Sequence, residues 1–196
     1  FDINIRQSET NKNLLSFLHD KDKIKKLLSI EKFEYNVNDV MMCIQENGYP
    51  YSREIFEIFL NGLLFEKENQ IKIELNFNDD QINQLFGMIC INDNRLDISK
   101  QFYSKYSDRI DINYLNPKNN GLVILDAIDN NAIETVKFLI NIKDIDLNKR
   151  GDSGKLAKHN FCCDITPFCF AVDCEEIEIV KLFENKCDRF NVNETY

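Results

Sequence analysis

The sequence predicts an all-α fold of about five packed helix pairs, and three observations support this prediction. The 196 residues include only 6 Gly and 3 Pro, which is too few turn formers for a sandwich or barrel of many short strands. A short signature of Ile or Phe, any residue, an apolar residue and Asn recurs six times along the chain. Paired apolar stretches with helical spacing lie between its copies.

The recurring signature divides the chain into repeats. Its copies end at six asparagines, which are Asn4, Asn36, Asn76, Asn113, Asn148 and Asn193. Consecutive copies are 32 to 45 residues apart, a period that is typical of stacked repeat architectures. We expect one continuous array over residues 1–196, belonging to a longer chain. The predicted repeats are 10–36, 39–76, 80–113, 119–148 and 163–193, with an inserted loop at 149–162.

The first three predicted pairs are less regular than the last two. Spacings lengthen around Tyr49-Pro50-Tyr51 and within 77–113, so extended turns are expected there. The fourth pair is clearer, because Ile124, Ala127 and Ile128 share one face of a short helix. Asn130-Asn131 then supplies a break, since Asn tolerates the left-handed conformation of a tight turn. A second, more apolar helix follows over Ile133, Val136, Phe138, Leu139 and Ile140.

The fifth pair repeats this layout over residues 166–193 and resembles a known family. Thr166-Pro167-Phe168-Cys169-Phe170-Ala171 is similar to the T-P-L-H-x-A opening of an ankyrin repeat, and 177–183 resembles the family's second helix. Proline suits the first helical position because its missing N–H costs no hydrogen bond there. The resemblance implies an ankyrin-repeat solenoid with short hairpin-like loops and a concave binding surface. The family's signature His is absent throughout, so we expect a lower stability per repeat.

Composition and charge narrow the classes of function. The formal net charge of −9 disfavours a general nucleic-acid binder, whose affinity comes mainly from Lys and Arg. No apolar run approaches the ~20 residues that a membrane span needs. Paired catalytic carboxylates, a Ser–His pair and a glycine-rich phosphate loop are all missing from the sequence. These observations favour a non-catalytic chain that binds no cofactor and is located in the cytoplasm. In one alternative, the chain is associated with the cytoskeleton.

The stretch "KRGDSGK" at 149–155 resembles three short motifs, and none of them fits its context. A trypsin-like nucleophile needs an oriented His base, but His19 and His159 lie in unrelated contexts. A phosphate loop needs four residues between its glycines and Ser or Thr after the Lys, which this stretch lacks. An adhesion tetrapeptide matters only outside the cell. The interpretation we favour is that Gly and Ser make an inserted loop flexible.

Seven cysteines raise a separate question of metal binding. Their odd number argues against a disulfide framework, and most are expected to be buried thiols. His159 and several cysteines fall in one repeat: Cys162, Cys163, Cys169, Cys174 and Cys187. A zinc site usually needs two closely spaced ligand pairs. Only His159 and Cys162 begin such a pattern, so no metal site is predicted.

The sequence therefore predicts a protein-interaction or scaffold module that binds other proteins on the loops and inner helices of its array. A structural component of a large assembly and a zinc- or redox-responsive module remain as alternatives. A basic group in the inserted loop suits an acidic partner. The tyrosines Tyr103, Tyr106 and Tyr114 could form a binding patch, but as a cluster we favour core and loop packing for them, and of the three only Tyr114 is also a candidate partner-binding residue. The candidate partner-binding residues are Asn78, Asp79, Asp80, Tyr114, Asn116, Lys118, Lys149, Arg150, Asp152, Lys155 and Lys158.

Overall fold

The computed structural model describes residues 20–28, 39–43, 58, 77–152, 164–186 and 188–190. The chain divides into two compact units, Phe1–Asn78 and Asp79–Tyr196. Regular structure within the described residues is helical, with isolated β-bridges but no β-strand. The helix-rich character expected from the sequence is thus confirmed. No helix in these described ranges is both long and apolar enough to cross a bilayer.

The first unit contains helix α1, Lys21–Leu28. Asp20 Oδ1 accepts a hydrogen bond from the Lys23 backbone N–H at 2.9 Å, which satisfies a donor that the helix itself leaves unpaired. Ile24, Leu27 and Leu28 are buried on one face, as helical spacing predicts. Residues 39–43 are also helical. Most of the predicted repeats 10–36 and 39–76 lies outside the described residues.

The second unit begins with helix α2, Asp79–Ile89. Its apolar face buries Ile82, Leu85, Phe86 and Ile89, which are spaced as one stripe of an amphipathic helix. A 3₁₀ helix, Asp93–Arg95, leads into helix α3, Leu96–Tyr106.

Aromatic rings pack α2 against α3. The rings of Phe86 and Phe102 stack at a centroid distance of 6.4 Å. Tyr103 contacts Phe86 at 5.9 Å, and Tyr106 contacts Phe102 at 4.8 Å. The interpretation of Tyr103 and Tyr106 as packing residues is confirmed by these contacts.

The next two helices match the sequence-based expectation closely. Helix α4 spans Val123–Asp129 and helix α5 spans Ile133–Leu139. Ile124, Ala127 and Ile128 are all buried, as predicted. The predicted break at Asn130-Asn131 is confirmed, because Asn131 adopts a left-handed φ of 50°.

The last pair consists of helix α6, Pro167–Asp173, and helix α7, Ile177–Glu184. Thr166 is the N-cap, and its hydroxyl accepts a hydrogen bond from the Cys169 N–H at 3.4 Å. Pro167 occupies the first helical position, as the sequence predicts. Glu175 takes a left-handed φ of 57° in the turn between the helices, a conformation that glycine adopts more readily than other residues.

The helices of the second unit pack in consecutive pairs. Each first helix contacts its own second helix, and the first helices α2, α4 and α6 contact one another in order. Among the second helices, α5 contacts α7, while the 3₁₀ helix contacts α3 and α5. Because α4 is covered by α2, α5 and α6, its sequence is apolar around most of its circumference.

Two of the signature asparagines join segments that are far apart in the sequence. Asn113 donates from its side-chain amide to the Asp144 carbonyl at 2.8 Å and accepts from the Asp146 N–H at 2.8 Å. Asn148 donates in the same way to the Arg189 carbonyl at 3.2 Å. In both copies the Asp two residues earlier accepts the asparagine's own N–H at 2.9 Å. The recurrence of Asn in the sequence thus has a structural cause at these two positions.

Candidate functional site

The loops that precede α4 and α6 form a row of three isolated β-bridges. Leu115 pairs with Leu122, Gly121 with Asp152, and Gly151 with Ile165. Gly151 and Ile165 exchange backbone hydrogen bonds of 3.2 and 2.9 Å, and the Asp152 N–H donates to the Asn120 carbonyl at 2.9 Å. These bonds hold the two ends of the inserted loop beside the 115–122 loop.

Residues 150–152 of the "KRGDSGK" stretch belong to this bridge. Arg150 donates to the Asp164 carbonyl, and Asp152 Oδ1 accepts the Asp164 N–H at 2.9 Å. Gly151 is buried, and a Cβ atom there would lie 2.9 Å from Leu122 Cγ. The expectation that glycine simply makes this loop flexible is wrong for Gly151, because a close backbone approach is what requires it.

A cavity of about 130 Å³ lies between α2, α4 and the 111–121 loop. We call it the α2–α4 cavity. Its apolar wall includes Phe86 and Met88, and its polar lining includes Asn83, Asp111, Tyr114 and Asp126. Gly87 also faces it, and a Cβ atom built on Gly87 would meet nothing within 4 Å.

One wall of the cavity is held by a chain of hydrogen bonds. Asp80 accepts from Gln84 Nε2 at 2.7 Å through Oδ2 and from the Tyr114 hydroxyl through Oδ1. Burial and the bond to Asp80 raise the pKa of Tyr114 to about 12, so the phenol is a donor at neutral pH. Asn83 accepts from the Asp111 N–H at 2.9 Å and donates to the Asp79 carbonyl at 2.8 Å. These contacts position α2 against the 111–121 loop.

Asp126 is a half-buried acidic group that lines the cavity. Within the described residues, no hydrogen bond or ion pair engages its carboxylate, which therefore faces the cavity without a protein partner. Burial, followed by the negative charge of Asp129, raises the pKa of Asp126 to about 7. A desolvated carboxylate of this kind gains most from a cationic partner.

The structure brings together some of the sequence-predicted residues. Tyr114 and Asn116 both line the α2–α4 cavity, and Asp80 accepts the Tyr114 hydroxyl beside it. Asp79 lies nearby on α2, where it forms an ion pair with Arg109 at 2.7 Å. Lys118 is exposed in the turn of the 115–122 loop.

The remaining predicted residues lie away from that cavity or outside the description. Lys149, Arg150 and Asp152 belong to the bridged ends of the inserted loop, and Asn78 is an exposed residue of the first unit. Lys155 and Lys158 lie outside the described residues.

Sequence reasoning missed the acidic part of the cavity, namely Asp111 and Asp126. Asp126 stands within the apolar run "LVILDAID", three residues before Asp129. A carboxylate in the middle of a buried helix is a signal that could have been noticed, since such groups are rarely buried without a partner. Asp111 belongs to the signature itself and was treated only as part of the repeat.

The cysteines give no metal site in the part of the chain that the structure describes. No group of three or more His, Cys, Asp or Glu side chains there is arranged to hold a metal ion. Cys43, Cys90 and Cys174 are buried, in line with the expectation of packing thiols. Burial raises the pKa of Cys90 to about 12, so this thiol is unreactive at neutral pH. His159, Cys162, Cys163 and Cys187 lie outside the described residues.

Comparisons with known proteins identify no relative of this chain. No protein-family model, curated protein sequence or solved structure matches this chain.

Proposed function

We propose that this chain is a non-catalytic interaction module, built as an ankyrin-type array, that binds other proteins through its loops and first helices. The observation that supports it most is the repetition of one local geometry. Asn120 and Asp164 both have left-handed φ values, of 53° and 52°, and each lies three residues before a helix begins. Asn131 and Glu175 have left-handed φ values of 50° and 57° in the turns within those pairs.

Matching backbone conformations at matching places indicate one structural unit used more than once. The parallel contacts of Asn113 and Asn148 support the same interpretation, since each ties a signature loop to the following one. An array built this way buries its apolar faces between neighbouring pairs and leaves its loop edge available. Binding to other macromolecules is the use that repeat arrays make of such an edge.

The edge in this chain is acidic and mostly polar. Asp79, Asp80 and Asp111 are exposed along it, and the α2–α4 cavity opens beside them. The net charge of −9 agrees with a basic partner surface, because opposite charges speed encounter and disfavour wrong partners.

The proposal is tested by affinity capture from the cells in which the protein occurs, followed by quantitative mass spectrometry. Three forms are compared: the native chain, a Gly87→Leu variant that fills the cavity, and a variant in which a short Gly-Ser turn replaces 153–163. The last variant keeps Asp152 and Asp164, whose contacts hold the bridge together. An unrelated helical protein of similar acidity is the control for charge-driven capture.

We expect at least one protein to be enriched with the native chain and reduced with one of the two variants. Loss with the loop replacement assigns recognition to the inserted loop, and loss with Gly87→Leu assigns it to the cavity edge. If the native chain enriches nothing beyond the acidic control, the interaction function is rejected.

A further inference from the structure

We propose that the α2–α4 cavity is a receptor for a lysine side chain of a protein partner. The proposal rests on the interaction function proposed above and adds the chemistry of the group that is recognised. Three properties of the cavity support it: its size, its uncompensated charge and the nature of its walls.

The size of the cavity suits one side chain. At about 130 Å³ it is well below the roughly 300–1,000 Å³ that is usual for sites of drug-sized molecules. A four-carbon stem ending in an ammonium group is of the right order to fill it. Gly87 contributes to this space, because a side chain at that position would have open room.

The charge of the cavity favours a cation. Asp126 and Asp111 both line it, and none of its lining residues within the described chain is Lys, Arg or His. The Asp126 carboxylate is half-buried and has no hydrogen-bond partner among the described residues. A cation beside a partly desolvated carboxylate favours its charged form. A neutral group would leave Asp126 unpaired, and an anion would be repelled.

Several other polar groups at the cavity are already engaged, and this favours lysine over arginine. The Asn83 amide is bonded through its nitrogen and its oxygen, and Tyr114 donates to Asp80 beside the cavity. One oxygen of Asp111 accepts the Asn113 N–H at 2.9 Å. The unsatisfied acceptors are therefore few, which suits the compact charge of an ammonium better than the wide fork of a guanidinium.

The apolar wall completes the match to a lysine. Phe86 and Met88 line the cavity beside Val123 and Ile91. Long basic side chains bury their methylene stems against such surfaces while the charged end finds a polar partner. A lysine entering from the acidic loop edge would place its stem along this wall and its ammonium at Asp126.

The test uses the methyl group of Met88 as a reporter. The chain contains three methionines, and Met41 and Met42 belong to the other unit, so they serve as internal references. The ε-methyl resonances are followed by NMR while Nα-acetyl-L-lysinamide is added at pH 8, where Asp126 is ionised. Nα-acetyl-L-norleucinamide is the matched control ligand, since it has the same stem without the ammonium group.

Two pairs of variants test whether binding needs the Asp126 charge and the open space of the cavity. Asp126→Asn removes the proposed partner, and Asp108→Asn removes the same charge from an exposed turn outside the cavity. Gly87→Leu fills the cavity and leaves every carboxylate in place, while Gly87→Ala occupies little of it. Each variant is checked for a native-like spectrum of the remaining methyl groups before titration.

We expect saturable movement of the Met88 signal with a Kd of about 1–10 mM, as befits a ligand of this size. The norleucine analogue should bind the native chain roughly tenfold more weakly than the lysine analogue does. The lysine analogue should bind the Asp126→Asn variant roughly tenfold more weakly than the native chain. Each tenfold change corresponds to about 1.4 kcal/mol. Gly87→Leu should abolish the ligand-induced chemical-shift change of Met88. Asp108→Asn should leave the Kd within a factor of about two of the native value.

Three results would overturn the proposal. The first is that the norleucine analogue binds as tightly as the lysine analogue, and the second is that Asp126→Asn binds the lysine analogue as tightly as the native chain does. The third is that calcium chloride shifts the Met88 signal at lower concentrations than the lysine analogue does. Failure here is distinct from failure of the interaction function. If proteins are captured but the lysine analogue does not bind, the cavity proposal alone is rejected. If the analogue binds and no protein is captured, the function is rejected instead.

Discussion

At the scale of single residues, two glycines of the second unit have opposite relations to their surroundings. Gly151 is buried, and a Cβ atom there would lie 2.9 Å from Leu122 Cγ and 3.0 Å from the Asn120 carbonyl oxygen. Gly87 lies within helix α2 with nothing within 4 Å of an added Cβ atom. Neither glycine has a positive φ, so the available space decides what a side chain would do.

Gly151→Ala is expected to destabilise the second unit by about 1–3 kcal/mol, because a backbone carbonyl and a packed leucine must move to admit the methyl group. Urea unfolding followed by circular dichroism measures the change in free energy. Gly87→Ala is the matched control and should stabilise by about 0.5–1 kcal/mol through the helix propensity of alanine. Equal effects of the two substitutions would contradict the close approach at Gly151.

Asp126 should make stability depend on pH. Its folded pKa of about 7 is above its ordinary value of 3.8, so the protonated form is favoured in the folded state. The stability that this group contributes is complete at low pH and is lost as the pH rises from about 4 to about 7. The acidic neighbours are Asp129 on the same helix and Asp111 in the lining of the cavity, to which α2 contributes neutral Asn83 and Gln84.

Asp126→Asn should therefore be more stable than the native chain at pH 8, by on the order of 1–3 kcal/mol. At pH 4.5 most of this difference should be gone, since the folded native chain then carries a protonated, neutral group at this position. Urea titrations of both proteins at the two pH values give the difference, in which the other titrating groups cancel. A difference that does not change with pH would show that Asp126 ionises normally.

At the scale of the elements, helix α5 obtains its N-terminal cap from a neighbouring segment. Its own N-cap residue, Ala132, has no side chain that can accept a hydrogen bond. Asp93 of the 3₁₀ helix supplies the acceptors, with Oδ1 at 2.7 Å from the Thr135 nitrogen and Oδ2 at 3.1 Å from the Glu134 nitrogen. Residues 41 and 42 positions apart are thereby joined by charge-assisted contacts at a helix N-terminus.

Asp93→Ala is expected to cost about 1–2 kcal/mol, since it leaves two backbone donors of α5 without their cap. Asp93→Asn retains one oxygen acceptor and should cost less. Chemical denaturation gives the free energies, and hydrogen exchange locates the effect. Increased exchange should be seen at Glu134 and Thr135, and exchange that stays unchanged at both amides would contradict the cap.

At the scale of the whole molecule, side-chain hydrogen bonds join neighbouring helix pairs of the second unit, in addition to the backbone bridge between Gly121 and Asp152. Arg189 extends this pattern beyond the asparagines, because its guanidinium donates to the carbonyls of Ile140 and Ile145 at 3.0 and 3.1 Å, after the end of α5. Asn148 in turn bonds the Arg189 carbonyl. Such ties act between neighbouring pairs, so their loss should have local consequences in an array.

Asn113→Ala and Asn148→Ala are expected to destabilise different junctions of the second unit, each by about 1 kcal/mol. Asn113→Ala should increase amide exchange near Asp146, whose N–H it binds. Asn148→Ala should act near Arg189. Both asparagines contact Asp146, but Asn148 does so through its backbone N–H, which alanine retains. The double variant should therefore equal the sum of the singles within about 0.5 kcal/mol. A large excess in the double variant would contradict independent junctions.

Several features of this protein were determined by local sequence alone. The helix pairs α4–α5 and α6–α7 follow from apolar spacing, from Asn130-Asn131 as a break and from Thr166-Pro167 as a helix start. Each of these signals acts within a few residues, through sterics or through one hydrogen bond, so it can be predicted without knowledge of the rest of the chain. The ankyrin resemblance and the interaction function do not follow from these local signals, and both stay proposals.

Only the tertiary structure decided what the polar residues do. Asp80 could be placed on the loop edge from the sequence, but its bond to Tyr114 joins residues 34 positions apart. Gly151 was expected to loosen a loop, and its surroundings instead make it a point of close packing. The α2–α4 cavity, with Asp126 in its lining, arises where two helices and a loop meet. Burial and hydrogen bonding depend on every neighbour in space, and sequence order does not specify those neighbours for a side chain.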